Sequence, residues 1–181
     1  MARLPYPDPA ALPAEIRDTL AQLPVQLNVF RMLAHATTLF RPWLRLGTAI
    51  LNELELDPKL RELAILAVAQ ETDCAYEWGQ HVPLARLVGV GEEQIQAIER
   101  GEVENPCFGA RERIVLLATQ AWLRQARLSD EIWTNLASQL SPRQVIELCL
   151  VVGFYSMLAR VLESAEVDLD APFAQTFVSQ R

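Results

Sequence analysis

Apolar residues return every three or four positions along most of this chain, the spacing of a buried helix face. Leu60, Leu63, Ala64, Ala67 and Val68 are the clearest case, and Asp57-Pro58 ahead of them offers an N-cap followed by proline at the first helical position. The pattern predicts a helix buried mostly on one side. Thr72 or Asp73 is expected to cap a second helix that starts near Cys74 and runs to about Val88, with Pro83 a potential kink. Residues 14–23 predict a short helix stopped by Pro24. The apolar-periodic stretch 26–54 predicts two helices, or one kinked, interrupted at Pro42. Shorter helices are expected over 92–100, 110–126 and 129–139. Ser141-Pro142 then opens a long one that reaches about Leu162. No stretch alternates like a strand or carries a hairpin dipeptide, so the predicted class is all-α, in a single domain.

Prolines 5, 7, 9 and 13 predict an extended N-terminal arm lying over the chain's own core or over a neighbouring subunit. The expected organisation is an arm and first short helix over residues 1–24, a helical domain over 25–165, and a docked polar tail over 166–181.

Composition narrows the partners. The chain is 51% hydrophobic and 22% charged, ordinary for a soluble globular protein. The apolar run 148–159 is shorter than the about 20 residues a membrane-crossing helix takes, and the first residues show no signal-peptide core. No membrane partner and a cytoplasmic location are therefore expected. A net charge of −7 argues against nucleic acid, which requires a basic footprint. The three cysteines, Cys74, Cys107 and Cys149, do not suggest a disulfide framework and leave a reactive thiol open. There is no His-x-x-x-His pair, phosphate-cradling glycine loop or nucleophile elbow, so neither cofactor nor metal is expected.

The chemistry gathers between Glu62 and His81. Cys74, Glu77, Trp78 and His81 stand at i, i+3, i+4 and i+7, so a thiol, a carboxyl, an indole and an imidazole share one helix stripe. At the positive end of its helix, Cys74 is expected to have a lowered pKa. His81 can exchange a proton near neutrality, and Glu77, one turn away, is expected to orient it or to raise its pKa. Glu62 lies in a strongly apolar run where an unpaired charge would cost several kcal/mol. It should pair with Arg61 or reach His81 across the two helices. Cys149 reads as core, Cys107 as a loop thiol, Trp43, Trp122 and Trp133 as packing, and His35 as a capping or packing residue.

Glu62, eleven intervening residues, then Cys74, Glu77 and His81 resemble the Glu…Cys-x-x-Cys-x-x-x-His signature of alkylhydroperoxidase-D proteins, within the wider carboxymuconolactone decarboxylase family. Gly89-Val90 and the segment Gln144…Glu147-Leu148…Gly153-Phe154-Tyr155 are similar to that family too, so the resemblance spans about residues 25–165. It implies an alkylhydroperoxidase-D-like helical bundle, a homo-oligomer of trimer or hexamer type, and a small-molecule site in a buried cleft near subunit contacts. The roles it implies for Glu62, Cys74 and His81 are those of a thiol and its proton relay. Glu77 replaces the second thiol of the motif, so the internal disulfide of the redox members is not carried over. Three functions remain open on the sequence: thiol-dependent peroxide reduction, non-redox acid–base catalysis closer to lactone decarboxylation, and a helical oligomer without catalysis.

Overall fold

The computed structural model describes residues 1–170 and contains nine α-helices and one 3-10 turn among them, with no strand. The proline-rich arm is extended apart from the turn Pro9–Ala11, capped by Asp8. It lies over the chain's own body: Arg3 N–H donates to Ala165 O at 2.8 Å and the Tyr6 hydroxyl to Asp168 at 3.0 Å. His35 meets Pro5 O at 2.8 Å, which gives it a packing role.

Helices α1 (Ala14–Gln22), α2 (Asn28–Leu33) and α3 (Thr37–Asn52) come first. The break in the 26–54 region falls at 34–36 and not at Pro42, which sits inside α3. Pro42 is exposed, so the carbonyl it leaves unpaired can reach water.

Helix α4 (Pro58–Glu71) is the centre of the molecule. Its N-cap Asp57 accepts from Lys59 N–H at 2.8 Å, and all ten residues Leu60–Ala69 are buried. The expected one-sided burial is thus corrected to burial all round, because the helices Ala75–Leu87, Ala110–Arg124 and Pro142–Ala165 enclose α4. Arg61 and Glu62 are carried inside with it.

Thr72 and Asp73 do not cap α5 (Ala75–Leu87). The Thr72 hydroxyl donates back to Val68 O at 2.7 Å, and Asp73 takes a left-handed φ of 51° that ends α4. Cys74 occupies the N-cap position itself, its N–H donating to Ala69 O at 2.8 Å. This tight reversal fixes α5 against α4.

Helices α6 (Glu92–Glu99), α7 (Ala110–Arg124), α8 (Asp130–Gln139) and α9 (Pro142–Ala165) follow. The α9 start is fastened by a Ser141/Gln144 capping box and by Glu147, which accepts from Leu56 N–H at 2.8 Å and from Arg143. At 24 residues, α9 is long and apolar enough to cross a bilayer by length and composition, which corrects the reading from its shorter apolar run. Here its inner face is core, packed on α4 and α7.

Beyond α9, residues 167–170 dock as expected of the tail. Asp170 accepts from Asn28 N–H at 2.6 Å and from the Tyr76 hydroxyl at 2.5 Å. The rest of the tail, 171–181, lies outside the described residues. Two side chains expected in the core are exposed instead, Cys149 on the outer face of α9 and Trp133 on α8. Trp43 does pack, stacked on Phe154 at 5.2 Å.

Candidate active site

Glu62 is wholly inaccessible, and it is paired on both sides. Oε1 accepts from the Nε of Arg61 at 3.0 Å, and Oε2 accepts from Nδ1 of His81 at 2.8 Å. Arg61 is held in turn by Leu51 O at 2.7 Å. Burial alone would push the Glu62 carboxyl up; His81 and Arg61 together outweigh it and hold it below the ordinary carboxylate range. With Nδ1 committed to Glu62, Nε2 is the nitrogen of His81 that can exchange a proton with a substrate.

Tyr155 of α9 closes this pair from the other side, its ring meeting His81 edge-on at 4.8 Å. Burial raises its phenol far above the usual value, and the carboxyls of Glu62 and Glu77 add to the rise. Tyr155 therefore links the Glu62–His81 pair to the start of α5.

There the structure departs from two expectations. Glu77 does not orient His81, a role Glu62 has taken. Its side chain is 2% exposed and neither carboxyl oxygen has a hydrogen-bond partner. Burial, then the nearby Glu163 of α9, raise its pKa well above the ordinary carboxyl range, which favours the neutral acid. Cys74 is not activated by its helix end either. Burial raises its pKa, Glu77 and Glu163 raise it further, and the N–H of Glu77 offsets only part. A partial dipole charge is outweighed by desolvation and two carboxyl groups.

The four sequence-derived residues are thus brought together, in a row from Cys74 through Glu77 to His81 and Glu62, with Tyr155 alongside. Cys107 and Cys149 are not part of it; the one lies in the 100–109 loop and the other faces outward. Two surface hollows, of about 560 Å³ beside Gly101–Asn105 and about 370 Å³ around Trp122 and Trp133, are lined by none of these residues. Among the described residues no group of three or more His, Cys, Asp or Glu side chains forms a metal site. Sequence reasoning missed Tyr155 as a site residue and Glu163 altogether, since nothing local to α9 reveals which of its faces meets α5.

Comparison with known proteins agrees with this architecture. Residues 37–121 match the carboxymuconolactone decarboxylase family, a segment that contains the whole row from Glu62 to His81. No curated protein matches the chain. Among solved structures, an alkylhydroperoxidase AhpD core, an uncharacterized peroxidase-related protein from Ralstonia eutropha JMP134, is similar at TM-score 0.79 and 18% identity, over 98% of this chain and 95% of that one. A peroxidase-related protein from Silicibacter sp. TM1040 is similar at 0.77 and 20%, over 93% and 91%. The debrominase Bmp8, in complex with 2,3,4-tribromopyrrole, is similar at 0.69 and 16%, over 93% and 90%. The fold is that of the alkylhydroperoxidase-D-like helical proteins. The match to the carboxymuconolactone decarboxylase family spans residues 37–121, a little under half of the chain.

Proposed function

We propose that this chain is a thiol-dependent oxidoreductase of alkylhydroperoxidase-D-like type that reduces hydroperoxides through Cys74, with His81 and Glu62 moving protons. The observation that carries the reading is the buried Glu62–His81 pair set in one enclosed row with a thiol. An ionised carboxylate with no solvent access is costly, and it is kept here against a histidine whose second nitrogen is uncommitted. Sulfur attack on the peroxide yields a sulfenic acid at Cys74 and an alcohol or water; one small external thiol then condenses with the sulfenic acid to a mixed disulfide and water, and a second releases the Cys74 thiol and an external disulfide. Dilute hydrogen peroxide followed by dimedone should label Cys74, read by peptide mass spectrometry. An unlabelled Cys74 beside a reactive Cys149 rejects the activity.

The raised Cys74 pKa favours a second reading, a non-redox acid–base enzyme of carboxymuconolactone decarboxylase type. In it His81 and the carboxyls carry the reaction, so Cys74→Ser keeps most activity. Under the first reading that variant has none.

Assembly into a homo-oligomer, trimer or hexamer, belongs to the same proposal. It is supported by an outward apolar stripe on α9, where Ile146, Leu150 and Met157 are 58%, 56% and 48% exposed.

A further inference from the structure

Glu77 is the one side chain of the row that nothing in the fold explains. Both of its oxygens are buried and unpartnered, whereas Glu62, equally deep, is saturated with donors. A buried polar group left without partners normally destabilises the fold. Cys74 is the N-cap of the helix on which Glu77 is the third residue, close enough that the Glu77 carboxyl and its N–H both act on the thiol. An orphaned carboxyl beside a thiol is placed to meet an atom that the free protein lacks.

We propose that Glu77 is a catalytic acid, donating its proton to the oxygen that leaves when the Cys74 sulfur attacks a neutral hydroperoxide, and recovering it from the Cys74 thiol. The proposal rests on the reading of Cys74 as the reacting thiol. The sulfur lone pair forms an S–O bond to the terminal oxygen while the O–O bond breaks. The departing alkoxide oxygen takes the Glu77 proton and becomes an alcohol. The thiol proton passes to the Glu77 carboxylate, so that Cys–SH and ROOH become Cys–SOH and ROH with Glu77 unchanged. Sulfur loses two electrons and the peroxide bond gains them. The substrate class follows from the surrounding charge. Glu163 on α9 and the ionised Glu62 on α4 face this region, and Arg61 and His81 are already engaged by Glu62. No free cation among these groups is left for an anionic substrate, so neutral organic hydroperoxides or hydrogen peroxide are accepted and carboxylated ones are not.

Two measurements on the whole 181-residue chain test this. The first is the infrared carbonyl band of a protonated carboxylic acid at pH 7, expected in the parent protein and lost in Glu77→Gln. The second is the rate of Cys74 sulfenylation by cumene hydroperoxide, followed on the Cys74 peptide across pH in the parent, Glu77→Gln and Glu77→Met. Loss of a general acid should slow Cys74 by about a hundredfold in both variants. It should also abolish the fall in rate that the parent shows as Glu77 ionises at high pH. Unchanged or faster oxidation in the variants overturns the proposal, because a carboxyl that merely holds the thiol protonated would release it when removed. A parent Cys74 inert to peroxide overturns it together with the thiol reading, whereas a reactive Cys74 indifferent to residue 77 overturns it alone.

Discussion

Glu62 and Glu77 are both carboxyls within α4 and α5, both almost fully buried, and they end in opposite states. Glu62 gains a guanidinium and an imidazole and its pKa is lowered; Glu77 is desolvated, gains only a second carboxyl nearby, and its pKa is raised. Their linkage to stability therefore has opposite signs. The folded pKa of Glu62 is depressed, so its contribution is present above the ordinary carboxylate range and is lost as pH falls through the folded value. The folded pKa of Glu77 is raised, so its contribution is full at low pH and is lost as pH rises toward the folded value. Thermal unfolding of Glu77→Gln against the parent should accordingly show a difference in melting temperature that moves in the variant's favour from pH 5 to pH 9. A pH-independent difference would place the Glu77 pKa in the ordinary range. Removing His81 strips a buried ion of one partner, and His81→Ala should lose about 3–5 kcal/mol in denaturant unfolding, the usual cost of breaking a buried pair. A loss below 1 kcal/mol would show Arg61 to be a sufficient partner by itself. The thiols should also be ordered by burial. Iodoacetamide is expected to alkylate Cys149 well before Cys74, the difference vanishing in guanidinium.

At the scale of elements, the two cap-plus-proline starts behave differently in what they hold. Asp57 begins the helix that carries Glu62, and Ser141 begins the one that carries Tyr155 and Glu163. Ser141 also donates to Glu55 at 3.0 Å, joining the α9 start to the segment before α4. Ser141→Ala should cost about 1 kcal/mol as a lost N-cap. The Glu55 bond is exposed and adds little to that. Equilibrium unfolding with urea checks the value. Most helices were legible because caps, prolines and the 3.6-residue period are local signals. The α2–α3 break was not, since Pro42 is tolerated only because its helix face is exposed. The turn at Asp73 was misread for a related reason: a left-handed aspartate looks in sequence like an N-cap, and the chain chose to end α4 with it.

At the scale of the whole molecule, the N-terminal arm and residues 167–170 close over the same body. The arm is pinned to the end of α9 and to Asp168, and Asp170 is pinned to Tyr76 of α5, one turn's reach from the row of site residues. The outward apolar stripe of α9 is the surface on which the proposed assembly rests. Leu150→Asp should lower the mass seen by light scattering without unfolding the helices. An unchanged mass would move the interface elsewhere, and a monomeric parent would end the oligomer proposal.

By itself the sequence determined the all-α class, most helix boundaries and the stripe of thiol, carboxyl and imidazole, because each follows from spacing along one helix. It also offered His81 as a partner of Glu62. Only the tertiary structure decided the charge states. The Cys74 thiol is pushed up where the helix dipole alone would favour a thiolate, and the Glu77 carboxyl is pushed up where spacing made it a partner for His81. Both outcomes arise from desolvation and from Glu163, 86 positions beyond Glu77. Burial and through-space charge are summed over every helix that packs on α5, and no local pattern carries that sum.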